Sequence, residues 1–224
     1  MKKYLATFTC LCLTGGLTAL ATTITPSGTA LTTLAGATFG GTGIPNNAVE
    51  VTTVPVGQQG QIVLGLTATQ RYSNPPLANN GFGTFYATPG ENTGLDGGIH
   101  SIGPTWNFDY YINAGNLTAY TFRLIYSDNI SGLSTTLSPM PQGQDSWNLD
   151  MSFLNTIGFN PYAAGIYGFE LDALNSDGRI VASTAINVNV GSVPDTASTA
   201  GLLGLGVIGL GLLKFRSTRL ARAK

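Results

Sequence analysis

The chain has 224 residues, only 9% of them charged, with a formal net charge of −1. Its two cysteines, Cys10 and Cys12, and its one histidine, His100, exclude a disulfide framework and the usual His/Cys zinc sites. Most cations sit at the two ends, which leaves Arg71, Arg123 and Arg179 against ten carboxylates in between, three against ten or −7, and excludes the clustered Lys and Arg that nucleic-acid binding requires.

Residues 1–21 read as a secretory signal helix. Lys2 and Lys3 form a short basic start, residues 5–20 are largely apolar, and Ala19-Leu20-Ala21 supplies the small–x–small site at which a signal peptidase cuts. Both cysteines leave with this segment, so the exported chain has no thiol chemistry. Residues 22–192 are long enough for one sizeable β domain. Residues 22–60 are rich in Thr, Gly and Ala with Glu50 as their only charge; they hold one or two edge strands around 48–56 or are largely irregular.

From Gln61 the pattern sharpens. Ile62, Leu64, Leu66 and Ala68 alternate over 61–70, which predicts a half-buried strand. Asn74-Pro75-Pro76 and Asn79-Asn80-Gly81 mark a turn region, 82–88 a short strand, and 89–104 a long surface loop. Trp106, Phe108, Tyr110 and Ile112 alternate, Ala114-Gly115-Asn116 turns, and Tyr120, Phe122, Leu124 and Tyr126 alternate again; this predicts a hairpin with Asp109 and Arg123 facing each other on its outer, solvated side. Residues 128–144 read as a loop, 145–154 fit neither pattern, and 155–161 are again loop. A second hairpin spans 165–190 around Asn175-Ser176-Asp177-Gly178, with Tyr167, Phe169 and Leu171 inward opposite Ile180, Ala182, Thr184, Ile186 and Val188. Short strands with polar, Gly-rich loops and no 3.6-residue period predict an all-β antiparallel β-sandwich of immunoglobulin-like architecture, with a jelly roll as the alternative.

No catalytic constellation emerges. A single loop His makes a Ser-His-Asp triad untenable, and the elbow, zincin and phosphate-loop motifs are missing. Asp109, Asp150, Glu170 and Asp172 qualify for paired-carboxylate chemistry by residue type only, and alternation places Asp109, Glu170 and Asp172 on outward sheet faces. Asn175-x-Asp177-Gly178 fails as a calcium loop, because Ala173 and Thr184 stand at the first and last ligand positions; a hairpin turn accounts for it. No cofactor is implied, and any calcium would be held weakly by loop carbonyls with Asp96 or Asp128. Tyr72, Phe82, Phe85, Tyr86, Tyr111, Trp147 and Tyr162 fall outside the core alternation; of these, Trp147 and Tyr111 are the candidates for stacking on a sugar ring, with Trp147 as a plug at one end of the sandwich the plainer alternative.

The C-terminal 193–224 has three parts in a fixed order. Val193-Pro194-Asp195 is held extended by its proline. Residues 196–213 carry no charge, and eighteen residues at a helical rise span about 27 Å, close to a bilayer's hydrocarbon core. Lys214, Arg216, Arg219, Arg222 and Lys224 form a basic tail, 214–224, that the positive-inside rule keeps cytoplasmic. This order resembles the VPDSG-CTERM class of sorting signal, a variant of the PEP-CTERM signals, with Thr196 and Ala197 where the name-giving pattern has Ser and Gly. The resemblance implies an exosortase partner in the inner membrane of a Gram-negative, exopolysaccharide-producing bacterium, cleavage near the motif, and a cell-surface or matrix destination. The chain is therefore expected to be a non-enzymatic exported protein, anchored only transiently in the membrane; the alternatives are a polysaccharide-acting enzyme or a glycan-binding module.

Overall fold

The computed structural model describes residues 23–58, 60–72, 75–92 and 102–191. Among them every regular element is a strand: β1 (Glu50–Pro55), β2 (Gln61–Gln70), β3 (Ala78–Asn79), β4 (Thr84–Ala87), β5 (Glu91–Asn92), β6 (Gly103–Pro104), β7 (Trp106–Asn113), β8 (Thr121–Asp128), β9 (Ser134–Met140), β10 (Gly143–Trp147), β11 (Gly165–Leu174) and β12 (Ile180–Val190). They form a four-stranded sheet in the order β1-β2-β7-β10, a six-stranded sheet in the order β3-β4-β12-β11-β8-β9, and a small β5-β6 ladder. The fold is all-β, and the two large sheets stack face to face in an arrangement consistent with a β-sandwich. It is not antiparallel throughout, however, because β4 runs parallel to β12 and makes the larger sheet mixed. Alternation within a strand does not reveal its neighbour's direction.

The expected inward faces are buried. Ile62, Leu64, Leu66 and Ala68 of β2 and Trp106, Phe108, Tyr110 and Ile112 of β7 line one wall of the core; Phe122, Leu124 and Tyr126 of β8 and Tyr167, Phe169 and Leu171 of β11 line the other. Phe85, which alternation left out, is fully buried among them. Across the gap Phe108 stacks on Phe169 with ring centroids 4.2 Å apart, and Trp106 tilts against Tyr167 at 5.1 Å. The polar tips of the large aromatics find carbonyls in the loop between β10 and β11: Trp106 Nε1 donates to Pro161 O (3.1 Å), and Tyr126 Oη to Leu154 O (2.7 Å). That loop therefore closes one end of the core.

β11 and β12 pair as expected, with Phe169 opposite Ile186 and Leu171 opposite Thr184. A register shift between Ala173 and Leu174 turns Ile180 out, leaving it 50% exposed. The Trp106 and Tyr120 segments, by contrast, are not a hairpin. β7 pairs with β2 on one side and β10 on the other, so both its edges are taken. The chain from Ala114 to Tyr120 instead crosses to the other sheet, where β8 pairs with β11 and β9. An arch and a hairpin share the same alternation; the apolar faces meet across the core rather than side by side. Residues 128–144, expected as a loop, contain β9 and the start of β10. β9 is a Ser/Thr-rich edge strand with a mostly exposed pattern, so it lacks the apolar alternation that identifies a strand.

β1 is the edge strand expected around 48–56; residues 23–49 ahead of it are largely irregular, yet Ile24, Ala37, Phe39 and Val49 are buried. The segment forms a strap over the outer faces of both sheets. Ile24 lies against Gly168 of β11, where a Cβ would come within 2.7 Å of it. Ser27 hooks the β12 backbone at Ala185 in both directions, its N–H donating to the carbonyl and its Oγ accepting from the amide. Thr32 bridges to Val49, and the Thr38 and Phe39 amides donate to Gln144 Oε1 of β10 at 2.7 and 2.8 Å. Ala37, Phe39 and Val49 then pack with Leu34 and Tyr111 against Gly65 of β2.

The Phe108–Phe169 stack makes Phe108→Ala the sharpest test of the two-sheet packing. Denaturant unfolding should show a loss of roughly 3–5 kcal/mol from the cavity left behind, against under about 0.5 kcal/mol for Ile180→Ala on the surface. Similar losses for the two would mean that Phe108 does not bridge the sheets.

Candidate functional site

The four carboxylates with paired-acid potential lie in three separate places. Glu170 and Asp172 share the outward face of β11. The pairing of β11 with β8 sets Arg123 directly opposite Asp172, and its Nε donates to Asp172 Oδ2 at 2.8 Å. Asp172 is fully buried there, while the Arg123 side chain is 30% exposed. Burial pushes the Glu170 carboxyl up, the neighbouring Asp172 charge adds to this, and Ser183 and Arg123 oppose it. Asp172 Oδ1 accepts no hydrogen bond among the described residues. The group is thus two neighbouring acids with one arginine paired to the inner of them.

Asp109 stands on the outer face of the four-stranded sheet, opposite Thr67 on β2 and Ser146 on β10. Period-two alternation does put it on the face away from Trp106, as expected, but that face is not solvated, and Arg123 lies on the other sheet altogether. Asp109 is fully buried, and neither of its oxygens accepts a hydrogen bond among the described residues. Burial pushes it up to about 7; the nearby Ser146 and Thr69 side chains oppose the shift without reaching hydrogen-bond geometry, and Asp145 adds to it.

Asp150 is exposed in the turn after β10, at the end of the stack. Tyr162 is pushed up to about 12, first by burial and then by its hydrogen bond to Asp150 and the charge of Glu91, with Arg71 opposing. The Arg71 guanidinium lies over the Tyr72 ring at 4.6 Å and donates to the Tyr72 hydroxyl at 2.5 Å. It fills the space that a Cβ at Gly103 would occupy. The four acids do not converge, and two surface grooves, along residues 37–44 and 116–119, carry no ionisable side chain.

Trp147 and Tyr111 are not brought together either. Trp147 sits opposite Phe108 on the inward face, half-buried, with Tyr110 at 4.6 Å and the edge of Phe153 at 5.1 Å. That is the plug position. Tyr111 sits opposite Gln144 on the other face of the same sheet, packed into the strap cluster. Phe153 (48% exposed) and Phe82 (54%) are more open aromatic surfaces, and Phe153 falls in a stretch where no periodicity marks it. Asp128 accepts from the Ile130 and Ser131 amides and the Ser131 hydroxyl, so its carboxylate closes a turn. Among the described residues no group of three or more His, Cys, Asp or Glu is placed to hold a metal, and no helix is long and apolar enough to cross a membrane. Ala19 and Ala21, Asp96, His100, Val193-Pro194-Asp195 and the apolar span 196–213 lie outside the described residues.

Two structural features leave little trace in the sequence: the strap, and Glu50 bonded to it through Thr29. Glu50 is fully buried, and burial pushes its carboxyl up while the Thr29 hydroxyl, which donates to it, opposes the shift. The signal for the strap was present in Gly65 and Gly168, each in the middle of a strand. Interior glycines of that kind mark where another backbone comes close.

No protein-family model matches the chain, and neither a curated protein nor a solved structure matches it.

Removing the Arg123 side chain strands a buried carboxylate. Arg123→Ala should cost about 2–3 kcal/mol in urea unfolding, less than a fully buried pair because the arginine is partly hydrated. Arg123→Ala combined with Asp172→Asn should recover part of the loss. An Arg123→Ala protein as stable as wild type would show that the pair has no structural role.

Proposed function

We propose that this chain is an exported, non-enzymatic protein of the cell surface or extracellular polymer matrix. Residues 1–21 are a signal peptide cut by signal peptidase after Ala21. The β domain, of immunoglobulin-like architecture, crosses the inner membrane, is held transiently by the span 196–213 with its basic tail in the cytoplasm, and is released by an exosortase acting near Val193-Pro194-Asp195. The observation that carries this reading is the three-part order of 193–224. It is supported by the position of that order just past Val190, the last residue of β12 and of the core. A motif beyond the last core residue is free to enter a protease as an extended strand. The dispersion of Asp109, Asp150 and Glu170–Asp172 over separate surfaces speaks for a role without catalysis, since glycoside hydrolysis needs two carboxyls about 5–9.5 Å apart across a cleft. Extracellular polysaccharide is then the surroundings of the protein rather than its substrate.

Exchanging both Pro194 and Asp195 for Ala leaves the core untouched. In an exosortase-bearing host the variant should fold but accumulate in the membrane with its tail intact, and intact-mass analysis of wild type should place one cut near residue 195 and another after Ala21. Normal release of the double variant would leave a plain tail anchor or a different protease.

A further inference from the structure

The strap 23–49 contains no ionisable side chain. It nevertheless closes over the ground around two buried carboxyl groups. At the closed edge of the stack, Glu50 Oε1 accepts from strap Thr29, and Oε2, which has no hydrogen-bond partner, lies in a corner bounded by Gly83, strap Pro26 and the Ala185 carbonyl. On the outer face of the four-stranded sheet, the strap fastens to neighbours of Asp109 on three sides. Ala48 O accepts from Thr67 Oγ1 (2.7 Å), Thr38 and Phe39 grip Gln144, and Ala37 and Phe39 pack with Tyr111. Asp109 has no accessible surface in that arrangement.

An ionised carboxylate without donors or a cation is expensive in such a place. β2 presents Thr67 and Thr69 to Asp109, β7 presents Asn107 and Tyr111, β10 presents Ser146 and the like charge of Asp145, and the strap presents nothing that titrates. Glu50 faces Thr29 and backbone, again with no cation among the described residues. Among the described residues no cation faces Asp109, so in the closed form a proton neutralises it.

We propose that the strap is a proton-sensitive clasp, closed over the outer sheet face while Asp109 and Glu50 are carboxylic acids and loosened when they ionise. The direction follows from linkage. Asp109 in the closed form holds its proton up to about 7, against an ordinary 3.8 once the strap lifts and water reaches it. The closed form thus binds more protons than the open form between these values, so closure weakens as pH rises through that range and changes little above it. Loosening would expose Phe39, Val49 and Tyr111 together, an apolar patch that the closed strap conceals.

The test is hydrogen–deuterium exchange on the full-length protein between about pH 5.5 and about pH 8.5, each rate divided by its intrinsic chemical rate. Amides at Thr32, Leu34, Ala37, Phe39 and Val49 report the strap; those of β11 and β12 report the core. Strap protection should fall at least about tenfold over this range while core protection holds. Asp109→Asn removes the charge at nearly constant shape and should flatten the strap profile. The same profile in Asp109→Asn as in wild type overturns the proposal. So does strap protection that is constant with pH in wild type, or that declines in step with the core, and these two outcomes need no variant to fold.

Discussion

The stack of Phe108 on Phe169 sets the geometry on which the rest of the molecule depends. It joins the central strand of one sheet to a central strand of the other, and its 4.2 Å separation determines how closely the two walls approach. Trp106, Tyr167 and Tyr126 flank it and reach out of the apolar layer to carbonyls of the 154–163 segment. One end is closed by those bonds, and the two outer faces are partly covered by the strap. Those faces carry every carboxylate that sequence reasoning singled out on a strand.

What was legible in the sequence follows from what alternation encodes. A period of two reports which side chains share a face, and the buried faces of β2, β7, β8, β11 and β12 follow for that reason, except that Ile180 is turned out and Tyr120 stands ahead of β8, half-buried. It does not report which strand lies alongside. β7 and β8 were therefore joined as a hairpin although β7 already had two neighbours, and the parallel β4–β12 pair left no local trace. β9 escaped because an exposed edge strand rich in Ser and Thr resembles a loop in composition. The β11–β12 turn was legible because its chemistry is local: Asn175 Oδ1 accepts from the Asp177 and Arg179 amides, and Gly178 adopts a positive φ of 74°.

The acids show the same division. Asp109, Glu170 and Asp172 were rightly placed away from the core, yet the outward side was equated with water. Two different things cover it. Asp172 is covered within its own sheet and matched by Arg123, so its burial is compensated locally. Asp109 lies on the face to which a segment distant in sequence fastens, and among the described residues no opposite charge matches it. A chain with three arginines in its domain has few cations to distribute, and Arg71 is engaged with Tyr72 at the end of the stack. The scarcity of cations, visible in the composition, is what makes the uncompensated carboxyl intelligible after the fold is known.

A strap so placed has physical consequences that a hydrogen-bonded strand would not have. Its hold on the stack consists of isolated backbone bonds from Ser27 and Leu31, a few side-chain hooks, two glycine notches and small apolar contacts rather than a continuous ladder, so its opening free energy is a small part of the global stability. In a segment of that kind a single protonation equilibrium weighs more against closure than it would inside the Phe108 core, where packing holds the structure. For a protein that leaves the cell, the surrounding pH is set by the medium and by the acidic groups of whatever polymer lies near it, and no cytoplasmic buffer holds it constant. The placement of Asp109 on the face where an uncharged strap fastens, rather than beside one of the three arginines, is thus, with Glu50, a feature through which the medium can reach the packing of this domain.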